Sequence, residues 1–430
     1  TLTGRPPYGE FGDSLEEIIS RFRPRGEPGP SPGEVDSDSA THPLLDGLIS
    51  RLLATDPVDR PDSATEVCEE LARIEQVLIP SPSSTRPALL DALCAQPSEN
   101  SWAALCRFLT NQNPETKELA EERLSSWPTE LRCAVIGWWE STRRGELHPL
   151  WGIARSLKLS GRGLQDGDIE KLSQISAMAS IRRLDLSENE LGPASAEALA
   201  NSPFLSSLEH LELRNNHIGE TGLKAIAESP KLRRLKFLGL SRNRIGGPSL
   251  EALMRSELPL RSLDLAENDL RIEGAEALTQ GNLRHLNSLN LRGNLFGPDG
   301  TALLAVSTQL ITLRDLDLSR NALGPSGAAA LAVSRNLARL QHLNLAQNNL
   351  GRQGLQLFLS SPGLDSLESF DASSNTFGPN GAMALASSLV ARRLRKLAIS
   401  DNGIEDAGLA ALLGAPQLTG LSCLRVAQNK

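Results

Sequence analysis

The side chains that most often do chemistry are few in this chain and lie far apart. Its five cysteines are odd in number and none has Cys-x-x-Cys spacing, which predicts a reducing compartment without a disulfide framework or zinc site. The six histidines are scattered: His210 and His342 share a position in a repeated pattern but lie several repeats apart, and no His-Glu-x-x-His occurs. The glycine-rich turn 324–327 lacks the Gly-Lys-Ser/Thr of a phosphate-binding loop. The sequence therefore predicts no catalytic, cofactor-binding or metal site.

Charge is unevenly distributed along the 430 residues, whose net charge is −8. Residues 1–80 hold 16 Asp and Glu against 7 Arg, so the remainder is close to neutral and has no basic run. Nucleic acid is not expected as the main partner, because phosphate neutralisation needs clustered Lys and Arg. No apolar run approaches the ~18 residues of a membrane span, and the chain, which starts at Thr1, shows no signal-peptide pattern. We expect a cytoplasmic protein and, since the chain begins without Met, a fragment.

The elements that would position any site are internal repeats, which extend from about Leu157 to the C-terminus. The pattern Leu-x-x-Leu-x-Leu-x-x-Asn-x-Leu-Gly is written at 181–192 and recurs at intervals of 25 to 27 residues. The repeated asparagines are Asn189, Asn216, Asn243, Asn268, Asn294, Asn321, Asn348, Asn375, Asn402 and Asn429.

Each repeat predicts one strand and one helix. Leu184-Asp185-Leu186 alternates as a strand with one buried face does. Asn189 carries donors and acceptors that can satisfy the backbone at the turn, glycines then allow a tight turn, and Ala/Leu-rich stretches such as 327–333 form the helix. Strands stack about 4.8 Å apart while helices need about 10 Å. The stack should therefore bend into a horseshoe, with a parallel sheet on the concave face and helices on the convex face.

This pattern resembles the ribonuclease-inhibitor-type leucine-rich repeat over about 270 residues. The resemblance implies an α/β solenoid at 156–430, with about eleven repeats of which the last is incomplete, and protein–protein interaction as its role. Because Lys430 closes the chain before a final helix, we expect fraying at the end or a longer natural chain.

Residues 88–155 contain helical spacings, such as Leu105 with Leu109, and all five tryptophans. A solenoid needs a cover over its first coil, so we predict an α-helical N-terminal cap here. A separate ligand-binding module is the alternative. Residues 80–87, which are rich in Pro and Ser, are predicted to be a linker.

Two motifs precede the linker: Leu2-Thr3-Gly4-Arg5-Pro6-Pro7-Tyr8, and residues 48–61, which end in Asp56-Pro57-Val58-Asp59-Arg60-Pro61. In order and spacing they resemble the end of the all-α C-lobe of a bacterial eukaryotic-like serine/threonine protein kinase. The resemblance implies a C-lobe remnant at 1–79, in which Arg60 has a structural role as the buried partner of a glutamate absent from this chain. A generic helical domain is the alternative.

The kinase resemblance does not make this chain an enzyme. The glycine-rich loop, V-A-I-K lysine, H-R-D loop and D-F-G aspartate are absent, and phosphoryl transfer needs them together. ATP and Mg²⁺ are expected only for an intact parent kinase. We predict the C-terminal fragment of such a kinase, with repeats that recruit substrate or regulate activity. The alternative is a stand-alone leucine-rich-repeat adaptor without enzymatic activity.

The predicted binding surface is the concave face, where strand alternation turns the neighbours of each inner Leu outward. Aromatic and Arg side chains supply much of the energy of protein interfaces, and Phe237 is an outward aromatic in a chain with few rings. The alternative is that Asp recurs there only because it is soluble and tolerated. The candidate protein-binding residues are Phe237, Arg214, Arg242, Asp264, Arg292, Asp317 and Arg320.

Overall fold

The structure is a computed structural model that describes residue 51 and residues 86–429, apart from 135, 145, 362, 363 and 365. The kinase-like segment 1–79 lies outside the described residues, Arg60 included, except for the helical residue Arg51. What was predicted for that segment stays a prediction.

The chain divides into two compact units, Thr1–Gln96 and Pro97–Lys430. In the first unit, helix α1 spans Arg86–Cys94. The last two residues of the predicted linker 80–87 are therefore helical, because Pro87 stands in the first turn of the helix, where its missing N–H is not needed.

The second unit is built on one sheet of twelve parallel strands, which lie side by side in sequence order. They are β1 Cys133–Ala134, β2 Ser156–Lys158, β3 Arg183–Asp185, β4 His210–Glu212, β5 Phe237–Gly239, β6 Ser262–Asp264, β7 Ser288–Asn290, β8 Asp315–Asp317, β9 His342–Asn344, β10 Ser369–Asp371, β11 Lys396–Ala398 and β12 Cys423–Arg425. Equivalent residues of neighbouring coils are in register, so Leu184 of β3 lies beside Leu157 of β2 and Leu211 of β4. The sheet thus repeats the sequence period as a spatial one.

A helix follows almost every strand. The helices of the second unit are α2 Glu99–Thr110, α3 Pro114–Arg123, α4 Ile136–Arg143, α5 Asp166–Ser173, α6 Pro193–Asn201, α7 Gly219–Ala227, α8 Leu250–Arg255, α9 Arg271–Gln280, α10 Gly297–Val306, α11 Gly324–Ala332, α12 Gly351–Leu359, α13 Gly378–Ser387 and α14 Glu405–Leu413. The core lies between sheet and helices: Leu184 and Leu186 are fully buried, as are Ala328 and Leu331 of α11. Each buried Leu contributes about 1.5–3 kcal/mol. This confirms the predicted α/β solenoid with a parallel sheet.

The asparagines that follow the strands form a hydrogen-bonded ladder. Nδ2 of Asn321 donates to the carbonyls of Leu318 at 3.0 Å and Ser319 at 3.1 Å in its own coil, and of Leu291 at 2.9 Å in the preceding coil. Its Oδ1 accepts from the backbone N–H of Asn294 at 2.8 Å. The ladder is interrupted at Asn294, whose own Oδ1 is buried and meets no hydrogen-bond donor among the described residues, and the interval that ends there is one residue shorter than the usual 27.

Two glycines in each regular coil allow the turn from ladder to helix. Gly351 has φ +58°, the left-handed conformation that favours glycine. Gly354 lies against the preceding coil, since a Cβ there would come within 3.0 Å of the Cα of Pro325. The pair therefore sets the direction and the close packing of helix α12.

The region before the first complete repeat differs from the all-helical cap that its sequence predicts. It contains α2, α3 and α4, but Cys133–Ala134 also forms β1, which extends the sheet in parallel to β2. The buried guanidinium of Arg132 stabilises this junction by donating to the carbonyls of Ile153, at 2.7 and 3.0 Å, and Leu124, at 3.0 Å. It also pairs with Glu121.

At the other end of the sheet, β12 is less covered than the strands before it. Leu424 and Val426 are partly exposed, whereas their equivalents one coil earlier, Leu397 and Ile399, are 1% and 0% exposed. Because β12 has no following coil among the described residues, its apolar side chains lack the neighbour that other coils have.

Candidate functional site

The solvent-facing side of the sheet carries the predicted binding residues. On most strands the middle residue is buried and its two neighbours are partly exposed, as in β6 and β8. We call the residues that directly follow the buried one the central row. From β2 to β12 it reads Lys158, Asp185, Glu212, Gly239, Asp264, Asn290, Asp317, Asn344, Asp371, Ala398 and Arg425.

Most of the Asp and Asn side chains of the central row also stabilise the backbone, by accepting a hydrogen bond from the N–H two residues further along the chain. Oδ1 of Asp264 accepts from the backbone N–H of Ala266 at 2.9 Å, and Oδ1 of Asp317 from Ser319 at 2.8 Å. Asn290 makes the same bond, to the N–H of Arg292 at 3.1 Å. This hydrogen bond explains why the row contains Asp or Asn, because either side chain offers an Oδ1 that can accept it. It does not explain why some positions have the charged Asp and not the neutral Asn.

Glu212 is the exception in length and environment. Its carboxylate lies over Gly239 of the next strand, where an added Cβ would come within 2.0 Å of its Oε1. Burial, together with the nearby charges of Asp264 and Asp185, raises the pKa of Glu212 to about 7. Burial also raises the pKa of Asp264. The sheet face therefore holds carboxylates that are poorly solvated before any partner arrives.

Phe237 is not a lone aromatic anchor. Its ring stacks on that of His210 in the preceding strand, with centroids 3.8 Å apart and planes 5° from parallel. Burial, and then the charge of Arg183, lower the pKa of His210 to about 4, so the imidazole is neutral at pH 7. The two rings form a flat, partly exposed surface beside the central row.

Two of the predicted arginines are joined by a residue that the sequence reasoning missed. Glu267 pairs with Arg242 at 2.6 Å and with Arg292 at 3.4 Å. Although burial alone would raise the pKa of Glu267, the hydrogen bonds and charges of the two arginines lower it. Arg292 also donates to Oγ of Ser319 at 3.2 Å. These contacts hold both guanidiniums at the edge of the sheet that the asparagine ladder follows.

The other predicted residues are placed singly. Arg214 is exposed and forms no ion pair with Glu212 or Asp264. Its positive charge partly offsets the burial that raises the pKa of these two carboxyl groups. Arg320 is exposed and donates to the side chain of Gln347.

A row of mostly basic residues at the opposite edge was also missed. There Glu209 pairs with Lys236 at 2.6 Å and lies 3.9 Å from Arg182. These pairs, like Arg242 with Glu267, lie 25 to 27 residues apart in sequence. Aligning the repeats and searching for opposite charges one coil apart would have found them.

This face is an open surface suited to contact with another molecule, and it does not enclose a site. A shallow depression of about 350 Å³ lies over β7 to β10, and another of about 630 Å³ is lined by Arg242 and Glu267, among others. Across residue 51 and the described part of 86–429, no three His, Cys, Asp or Glu side chains lie together as a metal site requires. Within the same residues, no helix is both long and apolar enough to span a bilayer.

Comparison with known proteins identifies the repeats. The sequence model of the family described as "Leucine Rich repeat" matches residues 177–200, 204–227, 259–278, 282–305, 309–332, 339–359 and 392–413. Leucine-rich repeats, predicted from the spacing of Leu and Asn, are thereby confirmed in these segments. Among solved structures, the chain is similar to an internalin (inlF) from Listeria monocytogenes str. 4b F2365, with 19% identity, a TM-score of 0.43 and coverage of 66% of this chain and 78% of that one. A search of curated proteins finds no match.

Proposed function

We propose that this chain binds another protein through the solvent-facing side of its sheet. The observation that carries the proposal is the preorganisation of that face. The rings of His210 and Phe237 stack, Arg242 and Arg292 are held by Glu267, and the central-row carboxylates are fixed by backbone N–H groups. Side chains that are already ordered lose little entropy on binding.

The composition and size of the face support the same function. Aromatic and Arg side chains are the residue types that most often dominate interface energy. Twelve strands at about 4.8 Å spacing give a face roughly 50 Å long, enough for a protein interface of ordinary size. The leucine-rich repeats are themselves typical of protein–protein interaction.

The finer proposals rest on sequence alone. The ribonuclease-inhibitor type of the repeats is supported by their length and their Asn-x-Leu-Gly turns. Recruitment or regulation of a serine/threonine kinase is supported by the two motifs in 1–79, and ATP with Mg²⁺ would belong to that parent enzyme. The alternative is an adaptor with no kinase. Sequencing upstream of the Thr1 codon separates them: a frame encoding H-R-D and D-F-G supports the kinase, and a stop codon supports the adaptor.

Site-specific photo-crosslinking tests the proposed function. A benzophenone amino acid is placed at Ser288 on the sheet face or, as a matched control, at the exposed Lys224 on helix α7. The variants are irradiated in the cells that produce the protein. We expect a discrete protein adduct from position 288 and none from 224. Adducts from the helix position alone would show that binding uses the other side of the solenoid.

A further inference from the structure

From β4 to β10 the acids of the central row occupy every second strand, while glycine or asparagine occupies the strands between. Asp185 on β3, beside Glu212, stands outside this alternation. Neighbouring strands are about 4.8 Å apart, so successive acids are roughly 9.6 Å apart along the sheet. The acids are Glu212, Asp264, Asp317 and Asp371, and the intervening residues are Gly239, Asn290 and Asn344.

These acids are not neutralised within the described residues. No Lys, Arg or His nitrogen of that part of the chain lies within 4.0 Å of the four carboxylates, although acids nearer the sheet edges, such as Glu209, Glu267 and Asp315, are paired. Asp317 meets a neutral group instead, since its Oδ2 accepts from Nδ2 of Asn344 at 2.9 Å. The row is therefore a line of carboxylates without ion-pair partners on a half-buried surface, of which Glu212, with a pKa of about 7, is only partly charged at neutral pH.

Basic residues lie on both sides of this row, interspersed with acids that pair with several of them. Three residues before the central row the chain places Lys236, Arg261, Arg314 and Arg395, with Glu209 and Glu368 among them, and two or three residues after it Arg214, Arg242, Arg292 and Arg320, with Glu267 among them. At about 3.3 Å per strand residue, these flanking residues lie about 7–10 Å from the row. A narrow occupant can bring cations to the row without meeting the flanking Lys and Arg, whereas a broad basic surface would meet them.

We propose that the partner segment that lies on this face is a single extended, polyproline-II-like peptide that runs along the array with Lys or Arg at every third residue. This inference rests on the proposed function, because it names the chemistry of the partner at the same face.

Spacing favours the extended segment over a helix. Polyproline II has three residues per turn and rises 3.1 Å per residue, so its every third side chain recurs on one side after about 9.3 Å. This repeat is close to the roughly 9.6 Å between successive acids, and the mismatch adds up to only about 1 Å from the first acid to the fourth. An α-helix presents the nearest equivalent side chain after seven residues, about 10.5 Å, and drifts by almost 3 Å over the same length.

Charge argues against nucleic acid on this face, since its phosphates would meet the central-row carboxylates. Electrostatics also favours a cation there: burial raises the pKa of Glu212 to about 7, and a cation beside it would restore the charged form. Complementary charge in such positions contributes mainly to specificity and to the rate of association.

Fluorescence anisotropy with labelled peptides of about twelve residues tests the proposal, at low salt because surface charges are screened. The probe has Lys at every third position in a proline background. One control isomer has the same four Lys at alternate positions, and a second control is a longer Ala-rich helix, of roughly 22 residues, with four Lys seven residues apart so that its charge matches. The intact chain is compared with Asp264→Asn/Asp317→Asn. Asn290 and Asn344 already occupy equivalent sites, and Asn290 accepts the same backbone bond, so this variant should fold.

We expect the every-third peptide to bind at least several-fold more tightly than either control, and the double variant to lose roughly ten-fold of that affinity. The charge-matched variant Asp299→Asn/Asp406→Asn, with both changes on exposed helix positions, should bind as the original chain does. Equal binding of the isomers, preference for the helical peptide, or equal loss in both double variants would overturn the proposal. If Ser288 forms protein adducts while no peptide is preferred, only this inference fails. If Lys224 alone forms adducts, the proposed function fails.

Discussion

Replacing Asn321 by Ala should destabilise the middle of the solenoid strongly. The side chain is fully buried and donates to the carbonyls of Leu291, Leu318 and Ser319, while it accepts from the N–H of Asn294. Each of these three carbonyls keeps another donor: Nδ2 of Asn294 for Leu291, Nδ2 of Asn348 for Leu318 and the N–H of Gly293 for Ser319. The N–H groups of Asn294 and Phe296, by contrast, both donate to Oδ1 of Asn321 and lose that acceptor in a buried place, at about 1–3 kcal/mol each when unsatisfied. Since water can enter part of the space, we expect a loss of about 2–4 kcal/mol.

Asn429→Ala is the matched control, because this side chain makes the same bonds, to Ile399 and Val426, at a partly exposed position at the end of the array. Water can replace it there, so the expected loss is below about 1 kcal/mol. Repeat arrays often unfold in parts, so hydrogen exchange is the suitable assay, and the amide of Asn294 should exchange far faster in Asn321→Ala. Equal effects of the two substitutions would refute the view that buried ladder bonds, and not the Asn type itself, stabilise the fold.

Three further predictions follow from particular contacts. Gly239→Ala should cost about 1–3 kcal/mol in a urea melt because its Cβ would meet the Glu212 carboxylate, and a combined Glu212→Ala change should recover most of it; no recovery would point to another clash. The pKa of Glu212 is raised from 4.5 to about 7, so the folded state binds more protons than the unfolded state between these values and stability should fall as pH rises from about 4.5 to 7; a Tm that falls equally in Glu212→Gln would contradict this. Hydrogen exchange should be faster in β12 than at Leu343 of β9, which is 3% exposed, and equal protection would contradict the effect of the uncovered last coil.

The fold was predictable because the same pattern of Leu and Asn recurs in every repeat. Alternation such as Leu184-Asp185-Leu186, with Asn189 three residues later, fixes the strand, its buried face and the turn that follows. The strand β1 was not predictable, since Cys133–Ala134 is only two residues long and lacks both the alternation and the asparagine. It depends on the buried Arg132 and on pairing with β2, which are tertiary contacts.

The sequence predicts which residues of the candidate site lie on the solvent-facing side of the sheet, but not which side chains contact one another across coils. Strand alternation places Phe237 and Asp264 on the sheet face. It does not reveal that Phe237 stacks on His210, or that Arg242 and Arg292 share Glu267, because these contacts depend on side-chain direction across coils. The shortened intervals between Asn243 and Asn294 also change which residues meet.

The most direct test of the central claim, protein binding by the sheet face, uses the partner recovered by crosslinking at position 288. Its Kd is measured for the original chain, for Phe237→Ala/Arg242→Ala on the sheet face, and for Lys224→Ala on exposed α7. We expect that the double variant, still folded, weakens binding by about 2 kcal/mol or more, roughly thirty-fold, while Lys224→Ala changes it little. Binding that is lost in Lys224→Ala and unchanged in the double variant would contradict this claim.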